Sequence, residues 1–141
     1  MILLDTNVVS EPLKANCDVG VLTWIDAQIV ETLYLSTVSL AELRFGIEAL
    51  PTGKRKDMLR ASFVQRILPL FVGRILPFDM AASEAYAMLR ARARVDGKAI
   101  SPADGYIAAT AMAHGLIVAT RDTGPFEAAG LTVINPWIQG H

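Results

Sequence analysis

The chain has 141 residues, enough for one domain with a sizeable buried core and too few for two ordinary ones. Its composition, 52% apolar and 19% charged with a mean hydropathy of +0.38, excludes a disordered chain and favours a central element covered on both faces. A net charge of −1 and a pI near 6.1 exclude a global basic field for capturing nucleic acid, so any anionic partner must be held locally.

The chain opens on MILLD, an apolar run ending in an acid with no positive charge before it. This reads as a strand over 2–4 and not as a signal peptide. A helical stretch follows over 18–28 (DVGVLTWIDAQ), then a branched run over 33–35 and a helix over 39–50 (SLAELRFGIEAL). Pro51-Thr52-Gly53 is a turn, 54–71 reads as one long helix, and Val72-Gly73 turns the chain into a strand over 74–78. Helices over 81–95 and 101–115 (SPADGYIAATAMAHG) precede short strands over 116–119 and 131–134. Strand and helix interleave, and parallel strands need crossover connections. The expected fold class is therefore α/β: a mostly parallel sheet of about five strands with helices on both faces, in a single domain over 1–141.

The longest stretch without Asp, Glu, Lys or Arg, 105–120, is interrupted by His114-Gly115 and falls short of the roughly 20 residues that span a bilayer. The single cysteine, Cys17, forms no internal disulfide, has no basic neighbour to activate it, and joins His114 and His141 in no zinc-type cluster. A reducing, cytoplasmic setting is expected.

In open parallel sheets, ligands sit beyond the carboxyl ends of the strands. Four acids fall there. Asp5 follows the first strand in ILLDTN, Glu42 lies in the first turn of the helix after the second strand in LSTVSLAEL, Asp104 opens the helix at SPADG, and Asp122 follows IVAT in TRDTG. Each has a purely structural reading. Ser39 to Glu42 matches a capping box, Ser101-Pro102-Ala103-Asp104 places proline and an acid at a helix start, and Asp5 and Asp122 suit turns. Facing direction favours a shared site for the two helical acids. Glu42 heads the stripe Phe45, Gly46, Ala49, and Asp104 heads Ile107, Ala108, Ala111, the faces expected to pack on the sheet.

Converging carboxylates repel by about 4 kcal/mol per pair at 4 Å and an effective dielectric near 20, against a domain stability of roughly 5–15 kcal/mol. Such a cluster persists by taking up protons or by binding a cation, and an all-oxygen donor set selects a hard ion such as Mg²⁺ or Mn²⁺. A hard ion with open positions suits phosphodiester cleavage, because it lowers the pKa of water and neutralises charge on the phosphate.

Asp5 in MILLDTNVVSE, Glu42 in SLAEL, Asp104 in ADGYIAATA and Asp122 in TRDTGPF together resemble the PIN-domain ribonucleases. More closely, the chain is similar to VapC-type toxins of bacterial toxin–antitoxin pairs, in the FitB-like branch, from the first strand to INPW. The resemblance implies a PIN-like fold and a Mg²⁺-dependent endoribonuclease, commonly a homodimer, inhibited by a cognate antitoxin and reaching DNA only through it. Asp5 and Asp104 would be direct metal ligands, with Glu42 and Asp122 completing the acidic site or holding metal-bound water. Thr6, Asn7 and Thr120 would supply supporting hydrogen bonds. Gly124 departs from the pattern: many members carry a further acid there, which puts a second metal site in doubt.

Two basic stretches, Lys54-Arg55-Lys56 with Arg60, and Arg90, Arg92, Arg94 with Lys98, either track an RNA backbone or form solvated helix faces. Arg44 and Arg121, each within two positions of a site acid, contact phosphate or a partner, or simply pair with a carboxylate. Trp24, Tyr86, Met88, Leu89 and Trp137 read as core, and His114 as a favourable charge at a helix carboxyl end. Two rival readings stay open. A haloacid-dehalogenase-like phosphatase also places an acid after its first strand but needs a second one where Asn7 stands, and a lysine near the later acids. In a non-catalytic α/β interaction module, all four acids would be caps. The toxin reading further expects a small adjacent gene whose product sends an Arg or Lys into the acidic pocket.

Overall fold

The computed structural model describes residues 1–138, so His141 lies outside the described residues. Five strands form: β1 (Ile2–Leu4), β2 (Leu33–Ser36), β3 (Ile75–Leu76), β4 (Ile117–Ala119) and β5 (Val133–Ile134). The helices are α1 (Thr6–Ser10), α2 (Val19–Asp26), α3 (Thr37–Glu48), α4 (Lys54–Ser62), α5 (Met80–Val95), α6 (Pro102–His114) and α7 (Thr123–Ala128). The strands pair in parallel in the order β3-β2-β1-β4-β5, with Leu3 beside Tyr34 and Val118.

Side chains alternate across the central strands, so β1 and β4 supply both cores. Leu3 and Val118 enter one core with Leu89 of α5, Ile107 of α6 and Phe126 of α7. Ile2, Leu4 and Ala119 enter the other, with Val8 of α1 and Leu43 and Ile47 of α3. The chain builds outward from β1 to β3, then returns past β1 to β4, so strand order reverses between β1 and β4. A reversal of this kind leaves a crevice beyond the carboxyl ends, because the two connections leave on opposite faces. The ladder continues to its rim: the Asp5 N–H donates to the Ala119 carbonyl at 2.9 Å, and the Thr120 N–H to the Ile134 carbonyl at 2.9 Å.

The sequence expectations fail at several local points. The helix expected over 54–71 is α-helical only to Ser62. A wider π turn over Phe63–Ile67 and a tight 3-10 turn over Leu68–Phe71 follow, since Pro69 has no N–H to continue the ladder. α1 and α7 were not expected, because TNVVS carries two β-branched valines and both helices are shorter than two turns. The capping box at Ser39 does not form. Ser36 caps α3 instead, its Oγ accepting from the Ser39 N–H at 3.0 Å, which moves Glu42 into the second turn. The buried stripe of α3 is accordingly Ser39, Leu43 and Ile47, while Phe45, expected on the sheet, is 74% exposed. Met88, expected in the core, is 72% exposed, whereas Leu89 is buried and Trp24 and Trp137 pack against the α3 side core.

α5 and α6 pack closely because both bring small residues to the shared core, Ala85 and Ala93 from α5 and Ala108 and Ala111 from α6. Gly105 marks a close approach: a Cβ there would stand 2.9 Å from Tyr86 Cε2. That ring is not free to retreat, being stacked on Tyr106 at 4.8 Å and edge-on to Phe78 at 5.9 Å. Overpacking costs roughly 1–3 kcal/mol, offset in part by the gain of about 1 kcal/mol in helix propensity. Gly105→Ala is therefore expected to lower stability by about 1 kcal/mol in denaturant unfolding, and a variant as stable as the parent would show that the tyrosine stack is loose.

Candidate active site

Four chain segments that are far apart in sequence meet at the crevice. Asp5, Thr6, Asn7, Ser10, Glu42, Asp104 and Asp122 line one open cavity of about 330 Å³. The four acids singled out from the sequence thus share one pocket, together with Thr6 and Asn7, while Thr120 lies directly beneath it. Among the described residues no three His, Cys, Asp or Glu side chains stand close enough to form a preassembled ligand set. The carboxylates ring the cavity without closing on one point, as mutual repulsion favours.

Asp5 is the buried member, 5% exposed. Its Oδ1 accepts from the Thr6 N–H at 2.8 Å, which also caps α1, and its Oδ2 accepts from Thr120 Oγ1 at 2.8 Å. The Thr120 hydroxyl is fully used. Its single proton goes to Asp5, and its oxygen accepts from Asn7 Nδ2 at 3.4 Å and from the Asp122 N–H at 3.1 Å. One buried hydroxyl therefore ties the segment after β1 to the segment after β4. Thr6 Oγ1 donates to Glu42 Oε1 at 2.6 Å and lies 3.1 Å from Ser39 Oγ, which fixes the otherwise exposed glutamate. Asn7 Oδ1 accepts from the Arg121 N–H at 3.3 Å.

Asp104 resolves differently from a simple cap. Ser101 caps α6, its Oγ accepting from the Asp104 N–H at 3.3 Å, with Pro102 in the first turn and Gly115 closing the helix in the left-handed conformation at φ 64°. Among the described residues the Asp104 carboxylate accepts no hydrogen bond, nor does that of Asp122, so both face the cavity unspent.

The buried Asp5 carboxyl is pushed up from 3.8 to about 6. Burial is the main cause and the charges of Asp104 and Glu42 add to it, against the hydrogen bonds from Thr120 and Thr6 that favour the ionised form. Carboxylate and hydroxyl oxygens are the only side-chain donors of Asp5, Thr6, Ser10, Glu42, Asp104 and Asp122, so the donor set fits a hard divalent cation, whose charge would relieve this repulsion.

Arg44 and Arg121 lie outside the acidic lining. The Arg44 guanidinium stands 5.9 Å from the centre of the Phe63 ring, and that of Arg121 stands 5.2 Å from the Trp137 ring. Neither forms an ion pair among the described residues. His114 ends α6 as expected, and Cys17 is a free thiol. Ser10 and Ser39 belong to the site but were not anticipated. The available signal was the Thr6–Ser10 spacing of four, which shares a helix face once α1 is recognised.

The PIN domain family matches residues 2–131. The VapC ribonuclease Y4jK of Sinorhizobium fredii is 61% identical over 97% of this chain and 98% of its own length. The FitB toxin of Neisseria gonorrhoeae is 55% identical over 97% of this chain and 99% of its own. A solved structure of FitAB bound to a DNA fragment superposes with a TM-score of 0.96 and 52% identity, covering 100% of this chain and 99% of that one.

The raised Asp5 acidity has a consequence for stability. The folded state holds this proton more tightly than the unfolded chain, so the Asp5 contribution to stability is full below about pH 4 and is lost as pH rises through about 6, by on the order of 3 kcal/mol. In urea unfolding with EDTA present, Asp5→Asn is expected to abolish this fall, making the variant the more stable protein at neutral pH and giving it no advantage below pH 4. A parent protein whose stability is flat across that window would contradict the assignment.

Proposed function

Because the chain belongs to the PIN domain family and is a VapC-like ribonuclease, the toxin of a toxin–antitoxin pair, we propose that it hydrolyses RNA at the pocket of Asp5, Glu42, Asp104 and Asp122. The family's nucleases depend on a divalent metal, and here the ion is Mg²⁺, or Mn²⁺ in its place, held by Asp5 and Asp104. A single observation carries this reading: acids from four separate segments converge where strand order reverses, and the deepest of them is held against its own tendency to protonate. Gly124 adds no carboxylate to the pocket, which supports one cation and not two.

When bound, such an ion supplies charge neutralisation at the phosphate and a lowered pKa for water. The chain's own residues supply position. Thr6 and Thr120 fix both Asp5 oxygens, leaving their remaining lone pairs for a ligand. The first turn of α6 presents Asp104, and the Thr6 hydroxyl holds Glu42 across the pocket from it. Glu42 and Asp122, the more exposed acids, are placed to orient the attacking water and to take its proton. Asn7, at the position where a phosphatase of the rival class needs its second acid, is committed to Thr120 and the Arg121 N–H.

We read the partners in the same way. An antitoxin covers the pocket, contact with DNA passes through that antitoxin, as the FitAB complex with DNA suggests, and the toxin is a homodimer. No helix among the described residues is long and apolar enough to cross a membrane, and a cytoplasmic location and a single PIN-like domain over 1–141 complete the proposal. Cleavage of a defined RNA with Mg²⁺ is expected to be lost in EDTA and in Asp5→Asn. Thr120→Val, which unties Asp5 without removing an acid, is expected to slow it about 10- to 100-fold. Equal cleavage by the parent and Asp5→Asn would overturn the reading.

A further inference from the structure

We propose that the cleft between the second half of α5 and the start of α6 is an RNA-backbone subsite, where Arg90, Arg94 and Lys98 hold a phosphate of the strand whose neighbouring linkage lies in the acidic pocket. The proposal rests on the reading of that pocket as the place of RNA cleavage.

A polyanion approaching four carboxylates on a chain of net charge −1 needs cations close by. The two basic stretches of the sequence turn out to be unequal. On α4, Arg60 is paired with Glu48 at 2.7 Å and stands 3.8 Å from Asp57, while Lys56 lies 3.9 Å from Glu48 and donates to its carbonyl at 2.9 Å. Those two charges are spent within the fold, whereas Lys54 and Arg55 form no ion pair among the described residues and Arg55 lines a separate cavity with Thr6 and Glu42. Arg90, Arg94 and Lys98 form no ion pair among the described residues, although Glu84 and Asp96 lie on the same segment. All three are exposed and line one cleft of about 680 Å³.

The cleft is organised and adjoins the pocket. Arg90 Nη1 donates to the Tyr86 hydroxyl at 2.7 Å, and its guanidinium stands 5.5 Å from the centre of the Tyr86 ring, which holds one cation in place before any ligand arrives. The Tyr86 ring and the Arg90 Cδ lie 2.9 and 3.5 Å from where a Gly105 Cβ would be, so this wall abuts the residue after Asp104. Ile100, on the cleft wall, immediately precedes the Ser101 cap. Cleft and pocket therefore flank the first turn of α6. The lining holds three cations and no carboxylate, and it adjoins the pocket where the strand is cut, which suits the phosphate backbone of that strand. Arg92, on the same helix, does not line the cleft and serves as an internal control.

The test is binding of a labelled oligouridine strand in EDTA, where no cleavage occurs, across a range of salt. Each lost phosphate contact reduces the slope of log K against log salt by about 0.7 for a single strand. Arg94→Gln combined with Lys98→Gln is expected to reduce the slope by about that amount and to raise KM for cleavage with kcat kept. Arg92→Gln, and Arg94→Lys with Lys98→Arg, are expected to keep the parent slope. An unchanged slope in the double glutamine variant would overturn the proposal, and so would a change in its oligomeric mass with RNA binding intact, which would mark a protein contact. A parent that binds the strand but does not cleave it with Mg²⁺ would instead overturn the reading of the acidic pocket, since the slope is measured without cleavage.

Discussion

The site depends on one buried hydroxyl. Thr120 directly follows β4 beside Asp5, which directly follows β1, and its Oγ1 donates to Asp5 while accepting from Asn7 and from the Asp122 backbone. A carboxylate this deeply buried would be costly without such partners, and even with them it is raised to about 6. The arrangement keeps Asp5 in place yet under electrostatic tension, and a cation relieves that tension. Strand order supplies the setting, because only the reversal between β1 and β4 brings residues 5 and 120 side by side.

Stability and function pull against each other here. A chain selected for stability alone would place an amide or an apolar residue at position 5, since the ionised acid is disfavoured by its surroundings. The acids retained around it make sense together as a charged pocket waiting for a counter-ion, and less sense as four independent caps. Ser36 and Ser101 take the capping roles on α3 and α6, leaving Glu42 and Asp104 free of them.

The interleaving of branched runs with helical periods was enough to read a parallel α/β sheet, and the rule that ligands gather at strand carboxyl ends was enough to find the four acids. What escaped reading was local. STVS offers three hydroxyls able to cap, and nothing in the pattern says that Ser36, still extended at the end of β2, will do so. Two apolar stripes compete on α3, and the sheet takes Leu43 and Ile47 at a spacing of four while Phe45 faces outward. The role of Thr120 as a three-way junction depends on register between strands that are distant in sequence, which no local window contains. Likewise, the two basic stretches look alike in sequence, and only tertiary pairing with Glu48 separates Lys56 and Arg60 of α4 from the unpaired Arg90 and Arg94 of α5.

The central claim is that Asp5 and Asp104 hold one cation between them. Mn²⁺ titration of the parent, Asp5→Asn, Asp104→Asn and the double variant, followed by the electron paramagnetic resonance signal of the free ion, tests it directly. A shared site predicts that each single variant loses affinity and that the double variant loses no more than the worse single, because the residues act as a unit. Losses that add as for independent sites, or an Asp104→Asn variant that binds Mn²⁺ like the parent, would contradict it.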